Sequence, residues 1–361
     1  MVCALIVSLP SRAVEENAHH TPADQVGGRI YRTQVDAGGA SISLWRYVGA
    51  GGKSGPPILL VPELFCERIW YDEFAQALQR RGRDVFLFEW RGSGDHGVAG
   101  HGTPVAQGFG DISALLLGDA PAAFDAALAA SGATSMELIG HGLGGEAAVL
   151  LAASSRAAQV SSLALVSVPA GYWTPNEAVR RLTSAVRALP STPADIRMSE
   201  YASMAAPLGD PARPGQWIEA QQPLDLFALL LAHGTSLSPT RSRELRDGLG
   251  NASAQLLGEL AHWMESGELA LTEGPRAPRQ SLSEAWTRMA QPALLVVAPL
   301  DNLVHPEQAL ARRGDRAHLR EEILLQRIEG FPEDAGHLAI QSSWGPRVLA
   351  PKILDWLAEH P

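Results

Sequence analysis

The stretch Met136-Glu-Leu-Ile-Gly-His-Gly-Leu-Gly-Gly-Glu-Ala-Ala-Val-Leu150 decides how this chain folds. It begins with a short apolar run, continues through a cluster of glycines and ends in small residues. That order predicts a buried strand, a tight turn and a helix. Because a turn at the carboxyl end of a parallel strand faces the crevice where α/β proteins bind ligands, Gly142 at the centre of the turn is the first candidate site residue.

Gly142 lies at the middle of a Gly-x-Gly-x-Gly turn, Gly140 to Gly144. In the G-x-S-x-G nucleophile elbow, the middle residue carries the hydroxyl that attacks the substrate. Glycine has no such group, although it adopts strained backbone angles without a Cβ penalty. The sequence therefore indicates an elbow without its nucleophile. Replacing Gly142 by Ser or Cys is expected to restore activity and to lower stability.

The composition favours a globular protein with a sizeable core. The 361 residues are 46% hydrophobic and include 25 prolines and 35 glycines, which indicates many turns. The formal net charge of −10 disfavours nucleic acid and anionic lipid as partners, because both require a basic face. The two cysteines, Cys3 and Cys66, exclude a disulfide framework and fit a reducing compartment.

The N-terminal residues raise the question of export. Val2–Leu9 is apolar and Ser11–Ala13 loosely resembles a cleavage site, but no basic segment precedes them, so a signal peptide is the less favoured alternative. No later run approaches the roughly 20 apolar residues of a membrane span. We expect a cytoplasmic protein, and the sequence does not predict its oligomeric state.

Compact apolar runs alternate with helical segments over the first half of the chain. Arg29–Val35 and Ala40–Tyr47 alternate polar and apolar residues and predict a hairpin. The apolar runs that follow are Pro57–Val61, Asp84–Glu89, Met136–Ile139 and Leu163–Ser167, and the helices between them lie around Trp70–Arg80, Asp111–Ala130 and Gly145–Ala153. This alternation predicts an α/β fold, with a mostly parallel sheet and helices on both faces.

The strand pattern disappears between residues 172 and 290. Helical stretches replace it, including Pro223–His233 and Thr240–Gly267. The strand pattern resumes at Ala293–Ala298 and Glu322–Ile328, before a last helix at Val348–Ala358. We therefore predict a poorly ordered leader (1–28), an α/β core (29–171 and 291–361) and a helical cap (172–290) inserted after the sixth strand.

From about residue 29 to 360, the order of these signals resembles the α/β-hydrolase fold superfamily. Three further segments resemble family motifs: Phe86–Gly94 the D-x-R-G-x-G turn, Pro299–Pro306 the turn with the triad acid, and Asp334–Ala339 the loop with the triad histidine. The order of elbow, acid and histidine is the family's order. Within the family, Val61–Leu64 and Glu89-Trp90 look more like polyhydroxyalkanoate synthases than ordinary lipases.

The resemblance implies roles for individual residues. Asp301 would hold the tautomer of His337 and stabilise its imidazolium form, with Asp334 and Asp315 as weaker alternatives for the acid. The family's oxyanion hole, formed by two backbone N–H groups, would fall on Leu64 and Leu143.

The loop before Leu64 departs from the family pattern. A His-Gly pair is replaced by Pro62-Glu63. Proline removes a hydrogen-bond donor, and the carboxylate of Glu63 would oppose an oxyanion if it pointed inward. Hydrolysis is therefore less strongly predicted than the fold.

Cys66, His141 and the remaining histidines and glycines are weaker candidates for a role in chemistry. Cys66 lies on the wrong loop for an elbow nucleophile and is interpreted as a small buried hydrophobe, and His141 is interpreted as packing. The histidine and glycine spacings favour no metal and no dinucleotide cofactor. An apolar pocket beneath the cap, with Trp173 and Trp263 as ligand contacts, would suit a hydrophobic acyl or lipid-like molecule.

Three functions remain open from the sequence. The first is an enzyme acting on an acyl ester or thioester, in which His337 activates a water and hydrolysis is weak or absent. The second is a non-catalytic binding or scaffold protein. The third, a synthase-like acyltransferase, requires that Gly142 be an introduced change.

Overall fold

The computed structural model describes residues 28–49, 51, 54–93, 110–169, 195–197, 235–272, 279–311 and 320–361. Its main sheet has eight strands in the order β1-β2-β4-β3-β5-β6-β11-β12. The strands, numbered along the chain, are β1 (Ile30–Asp36), β2 (Ser41–Tyr47), β3 (Ile58–Val61), β4 (Val85–Phe88), β5 (Met136–His141), β6 (Val160–Val166), β7 (Asp195–Arg197), β8 (Asn251–Ser253), β9 (Ala270–Leu271), β10 (Gln280–Ser281), β11 (Ala293–Val297) and β12 (Arg320–Leu324). The first two pairs in that order are antiparallel and the other pairs in the sheet are parallel.

Helices lie between the strands along the sequence, and the last helix follows β12. They are α1 (Asp72–Arg80), α2 (Ile112–Ala114), α3 (Ala120–Ser131), α4 (Leu143–Ala152), α5 (Pro239–Asp247), α6 (Ala254–Ser266), α7 (Leu282–Arg288), α8 (Pro306–Ala311) and α9 (Ala350–Glu359). A π-helical turn, Leu115–Asp119, joins α2 to α3, and a second one, Gly345–Leu349, leads into α9. Short 3-10 turns lie at Arg68–Trp70, Ala157–Gln159, Arg327–Glu329 and Ala339–Gln341.

Two separate hydrophobic clusters cover the two faces of the sheet. On β3, Leu59 and Val61 belong to the cluster that contains α3 and α4, whereas Ile58 and Leu60 belong to the cluster that contains α1 and α9. Neighbouring residues of a strand point to opposite faces, and all four of these side chains are buried. The predicted α/β class, with a mostly parallel sheet and helices on both faces, is confirmed.

The structure corrects three details of the sequence prediction outside the elbow. Within 172–290, β7 pairs with β8 and β9 pairs with β10, so strands do not disappear from this region. The stretch predicted as one helix, Thr240–Gly267, is interrupted, because α5 ends at Asp247 and β8 follows before α6. The last strand is also displaced, from Glu322–Ile328 to Arg320–Leu324, since a 3-10 turn occupies residues 327–329.

Some predictions fall outside the described residues: the leader up to residue 27, the helix at 223–233, Trp173 and Asp315. The assignment of 172–290 as a helical cap and the core boundaries therefore remain predictions.

Within the described residues, the stretch Ile112–Ser131 is long and apolar enough to cross a membrane, which the sequence analysis did not anticipate. A core helix of a globular protein passes the same test. Here Leu116 and Phe124 pack in the core, and Asp119 is buried with its carboxylate accepting hydrogen bonds from Arg91. These contacts are those of a helix in the core of a globular protein.

Candidate functional site

The turn between β5 and α4 has the backbone geometry of an elbow. Gly142 has φ 54° and ψ −126°, angles that residues with a side chain rarely adopt. Its N–H donates to the Val166 carbonyl at 2.9 Å, and its own carbonyl accepts from Gly145 N–H at 3.0 Å. The strained conformation of the elbow is therefore kept, although the residue in it has no nucleophile.

Asp301 and His337 meet beside this turn. His337 Nδ1 lies 2.9 Å from Asp301 Oδ2, and both residues are buried. The other oxygen of Asp301 accepts from the N–H groups of Leu303 and Val304, each at 2.8 Å. Asp301 is thus held after β11 in contact with His337, and its role as the acid partner stays a prediction. The alternative, Asp334, instead accepts from Arg327 N–H at 2.9 Å.

The charges around His337 favour its protonated form. Burial is the largest influence and lowers the pKa of His337, but the Asp301 carboxylate and, to a smaller extent, Glu63 outweigh it and raise the pKa to about 10. A buried imidazole with two carboxylate neighbours is stabilised as an imidazolium. These neighbours therefore favour the form of His337 with a proton on each ring nitrogen.

The Glu63 carboxylate fills the space next to the α-carbon of Gly142. Its Oε1 accepts from Leu64 N–H at 2.7 Å, and its Oε2 accepts from Leu143 N–H at 3.1 Å. The same Oε2 lies 3.4 Å from His337 Nε2, an atom without a hydrogen-bond partner among the described residues. A Cβ placed on Gly142 would overlap Oε2. The two N–H groups named from the sequence as oxyanion donors thus hold an internal carboxylate.

Sequence reasoning foresaw only that an inward-pointing Glu63 would oppose an oxyanion. It missed that the carboxylate would enter the space left by the side chain at position 142. The signal was present as two departures from the family pattern, Pro62-Glu63 and Gly142, lying about 80 residues apart. Only the fold brings β3 and β5 side by side and joins these departures into one feature.

The loop that carries Glu63 is anchored by residues 248–250. Phe65 has a positive φ of 65°, a strained angle for a residue with a side chain. Its carbonyl accepts from Gly250 N–H at 2.6 Å, and Glu67 N–H donates to the Gly248 carbonyl at 3.1 Å. Between them Cys66 forms an isolated antiparallel bridge with Leu249. The segment after α5 therefore fixes the loop that positions Glu63.

Cys66 has no features of a replacement nucleophile. Its side chain is buried, and burial raises the pKa of its thiol well above the ordinary value. Because the thiolate is the reactive form, this environment keeps the sulfur in its unreactive state. The position agrees with its interpretation as a small buried hydrophobe.

His141 and Tyr71 contribute contacts that the sequence analysis did not predict. Tyr71 Oη lies 2.8 Å from His141 Nδ1, and His141 Nε2 lies 3.0 Å from the His337 carbonyl oxygen. Burial and the nearby charge of His337 lower the pKa of His141 to about 3. His141 is thus a neutral residue that contacts the backbone of His337, in addition to packing.

The remaining predicted contacts are less informative. Trp263 is buried in the hydrophobic cluster that contains α4, so its role as a ligand contact stays a prediction. Among the described residues, no group of three or more His, Cys, Asp or Glu side chains is arranged to hold a metal ion.

Comparisons with known proteins agree with this architecture. Residues 60–211 match the family described as serine aminopeptidase, S33. A thermophilic esterase from Thermogutta terrifontis is 17% identical over 91% of this chain and 99% of its own, with a TM-score of 0.56. An esterase from Exiguobacterium antarcticum is 14% identical over 90% of this chain and 99% of its own, with a TM-score of 0.59.

An enol-lactonase from Burkholderia xenovorans is also similar, at 17% identity over 90% of this chain and all of its own, with a TM-score of 0.56. No curated protein sequence matches the chain. Together with the sheet order and the elbow, these likenesses show that the chain has the α/β-hydrolase fold.

Proposed function

We propose that this protein binds an uncharged, largely apolar ester-like molecule and does not hydrolyse it through an acyl-enzyme. The proposal takes the second of the three functions left open by the sequence, a non-catalytic binding protein. The observation that carries it is the position of Glu63. Its carboxylate overlaps the place of a nucleophile at position 142 and accepts from the N–H groups of Leu64 and Leu143.

The occupied N–H groups argue against acyl transfer. An ester carbonyl develops negative charge on its oxygen in the transition state, and hydrolases of this fold stabilise that charge with backbone N–H groups. Here those donors already hold a carboxylate. A substrate oxygen at the same place would meet a negative charge in a buried, low-dielectric site, where repulsion is strong.

The protonation of His337 argues against a water-mediated reaction. A general base must have a free lone pair within reach of the proton it removes. His337 Nδ1 faces Asp301, its Nε2 faces Glu63, and its pKa is raised to about 10. The imidazolium therefore has no lone pair to offer a water at neutral pH.

The fit of Glu63 to Gly142 also argues against the acyltransferase alternative. That alternative needs a thiol at position 142, with glycine as an introduced change. Any side chain at this position would displace the Glu63 carboxylate from its two N–H donors. This overlap supports glycine as the residue that belongs at position 142.

The charge of the centre indicates the ligand class. Asp301, Glu63 and the His337 imidazolium together carry one net negative charge in a buried setting. A free carboxylic acid would enter as an anion and be repelled, whereas an uncharged ester, lactone or ketone would not. We therefore favour a neutral ligand over its hydrolysis product.

Two measurements test this function. Calorimetric titration with a medium-chain methyl ketone, which resembles an ester but cannot be cleaved, is expected to show saturable binding, and the fatty acid of equal length is expected to bind at least about tenfold more weakly. In parallel, short and medium p-nitrophenyl esters are expected to show no turnover that depends on His337. Ester turnover that is lost in His337→Ala, or failure of the ketone to bind, would overturn the proposal.

A further inference from the structure

A continuous chain of hydrogen bonds connects the loop of Glu63 to the loop of His337. Glu63 N–H donates to Tyr71 Oη at 2.8 Å. The same hydroxyl lies 2.8 Å from His141 Nδ1, and His141 Nε2 lies 3.0 Å from the carbonyl oxygen of His337. All four residues are buried. This chain of hydrogen bonds begins on the backbone of Glu63 and ends on the backbone of His337. The side chains of the same two residues face each other, with Glu63 Oε2 at 3.4 Å from His337 Nε2.

The donors and acceptors fit only one direction along this chain. A carbonyl oxygen can only accept, so His141 Nε2 must carry the proton that is donated to His337. His141 Nδ1 then offers a lone pair to the Tyr71 hydroxyl, whose oxygen in turn accepts from Glu63 N–H. Protonating His141 would put a hydrogen on Nδ1 against the Tyr71 hydroxyl hydrogen. The neutral state of His141, with its pKa lowered to about 3, agrees with this direction.

The loop needs such a support because its backbone is strained. Phe65, two residues after Glu63, has a positive φ of 65°. A strained backbone persists only where the surroundings hold it, at a cost on the order of 1–3 kcal/mol. The contacts with residues 248–250 hold the far side of this loop. The bond to Tyr71 holds the residue whose carboxylate fills the site.

We propose that Tyr71 and His141 are positioning residues that fix the separation of Glu63 and His337 by tying the loop after β3 to the loop of His337. This role rests on the proposed function of Glu63 as the carboxylate that occupies the site. It gives the histidine of the Gly-His-Gly turn and Tyr71, just before α1, a function beyond packing.

The test is the titration of His337, followed by NMR in full-length protein labelled with ¹³C at the histidine rings. The chain has 11 histidines, so the His337 signal is assigned by its loss in His337→Gln. Tyr71→Phe removes one oxygen atom and interrupts the chain of hydrogen bonds at its centre. If the loop of Glu63 relaxes away from His337, the titration midpoint of His337 is expected to fall by about one pH unit.

Tyr47→Phe is the matched control. Tyr47 is also a buried tyrosine, but its hydroxyl contacts Asp72, so its removal is expected to lower stability without moving the His337 midpoint. A folded Tyr71→Phe with the wild-type midpoint would overturn the proposal. Should Tyr71→Phe not fold, His141→Asn keeps an acceptor for Tyr71 but loses the donor to His337, and an unchanged midpoint there would have the same consequence.

The outcome is separable from the proposed function. Ester turnover by the wild-type protein would contradict the non-catalytic role and leave the titration result intact. An unchanged midpoint would instead remove Tyr71 and His141 as positioning residues while leaving the ketone-binding test untouched.

Discussion

The carboxylate of Glu63 and the bare α-carbon of Gly142 are complementary: the space left by the side chain missing at position 142 is the space that Oε2 occupies. Leu143 N–H, one residue beyond Gly142, holds this oxygen at 3.1 Å. Two departures from the pattern of active hydrolases, each just after one of two neighbouring strands, are therefore complementary to each other. A substitution at either residue alone is therefore expected to change the packing between Glu63 and Gly142.

The first prediction concerns Gly142→Ser. The sequence alone predicts a gain of activity, but the structure changes this expectation because the new side chain would overlap Glu63. We expect no acyl-enzyme and a stability loss of about 2–4 kcal/mol, from the overlap together with strain at a positive φ. Chemical denaturation and the burst of p-nitrophenol from an activated butyrate ester measure the two effects.

Gly132→Ser measures the cost of a side chain at a positive φ without overlap. Gly132 has φ 67° and ψ 17°, in the left-handed region, and a Cβ there would meet no atom within 4 Å. Its replacement is therefore expected to cost only about 1 kcal/mol. Equal losses at positions 132 and 142 would show that Glu63 does not occupy the space at Gly142.

The second prediction concerns the double variant Gly142→Ser, Glu63→Ala. Removing the carboxylate makes room for the serine and frees the N–H groups of Leu64 and Leu143. The two changes should be less destabilising together than the sum of the single variants, a coupling of about 1 kcal/mol or more. A burst of acyl-enzyme is expected in the double variant at alkaline pH, where His337 loses its proton, because Asp301 still raises the pKa of His337. It should disappear when His337→Ala is added, since an unassisted serine is a weak nucleophile.

The third prediction orders the carboxylates around His337. Both Asp301 and Glu63 raise the pKa of His337, and Asp301 is the stronger influence. In NMR titrations, Asp301→Asn should therefore lower the midpoint from about 10 further than Glu63→Gln does. Glu333→Gln, at a carboxylate that accepts from Ser236 and Trp344, serves as the control and should leave the midpoint unchanged. A larger shift for Glu63→Gln would contradict the order.

The fourth prediction is a stability maximum near pH 6.5. His337 has a folded pKa of about 10 against an ordinary 6.5, so the folded state keeps a proton that the unfolded state loses as pH rises through this range. Its contribution is complete below pH 6.5 and is lost towards pH 10, with a slope approaching 1.4 kcal/mol per pH unit. Stability therefore falls on the alkaline side of its maximum, which is the alkaline limb of the curve of stability against pH.

His141 gives the acid limb. Its folded pKa is about 3, so below pH 6.5 the unfolded state gains a proton that the folded state does not take. Stability therefore falls as pH decreases from 6.5 towards 3. Urea denaturation across pH 4–10 measures both limbs. Asp301→Asn should flatten the alkaline limb and His141→Gln the acid limb, and a variant that leaves its limb unchanged would refute that assignment.

The fifth prediction is that a small carboxylate can replace the side chain of Glu63. In Glu63→Ala, the N–H groups of Leu64 and Leu143 lose their acceptor, and His337 Nε2 loses the carboxylate that lies 3.4 Å from it. Acetate is expected to fill the vacated space and to raise the melting temperature of this variant in proportion to ln[acetate] at high concentration. Wild-type protein in acetate, and the variant in chloride of equal ionic strength, are the controls. Equal effects of the two salts on the variant would exclude a specific site.

Local sequence determined the architecture of this protein. Short apolar runs separated by helical segments predict a parallel sheet, because strands buried on both faces must be apolar throughout and need helices to cover them. The glycines of the turn after β5 predict its tight geometry, since few other residues adopt φ near 54°. The pairing of Asp301 with His337 also followed from the sequence, through the family's order of motifs.

Tertiary structure alone decided what occupies the site. Glu63 and Gly142 lie far apart in the chain, and no local pattern relates a carboxylate on one loop to a vacancy on another. Parallel pairing of β3 with β5 brings them together, and the backbone N–H groups of Leu64 and Leu143 then orient the carboxylate. The protonation of His337 depends on the same contacts, because its pKa follows from charges that only the fold places beside it.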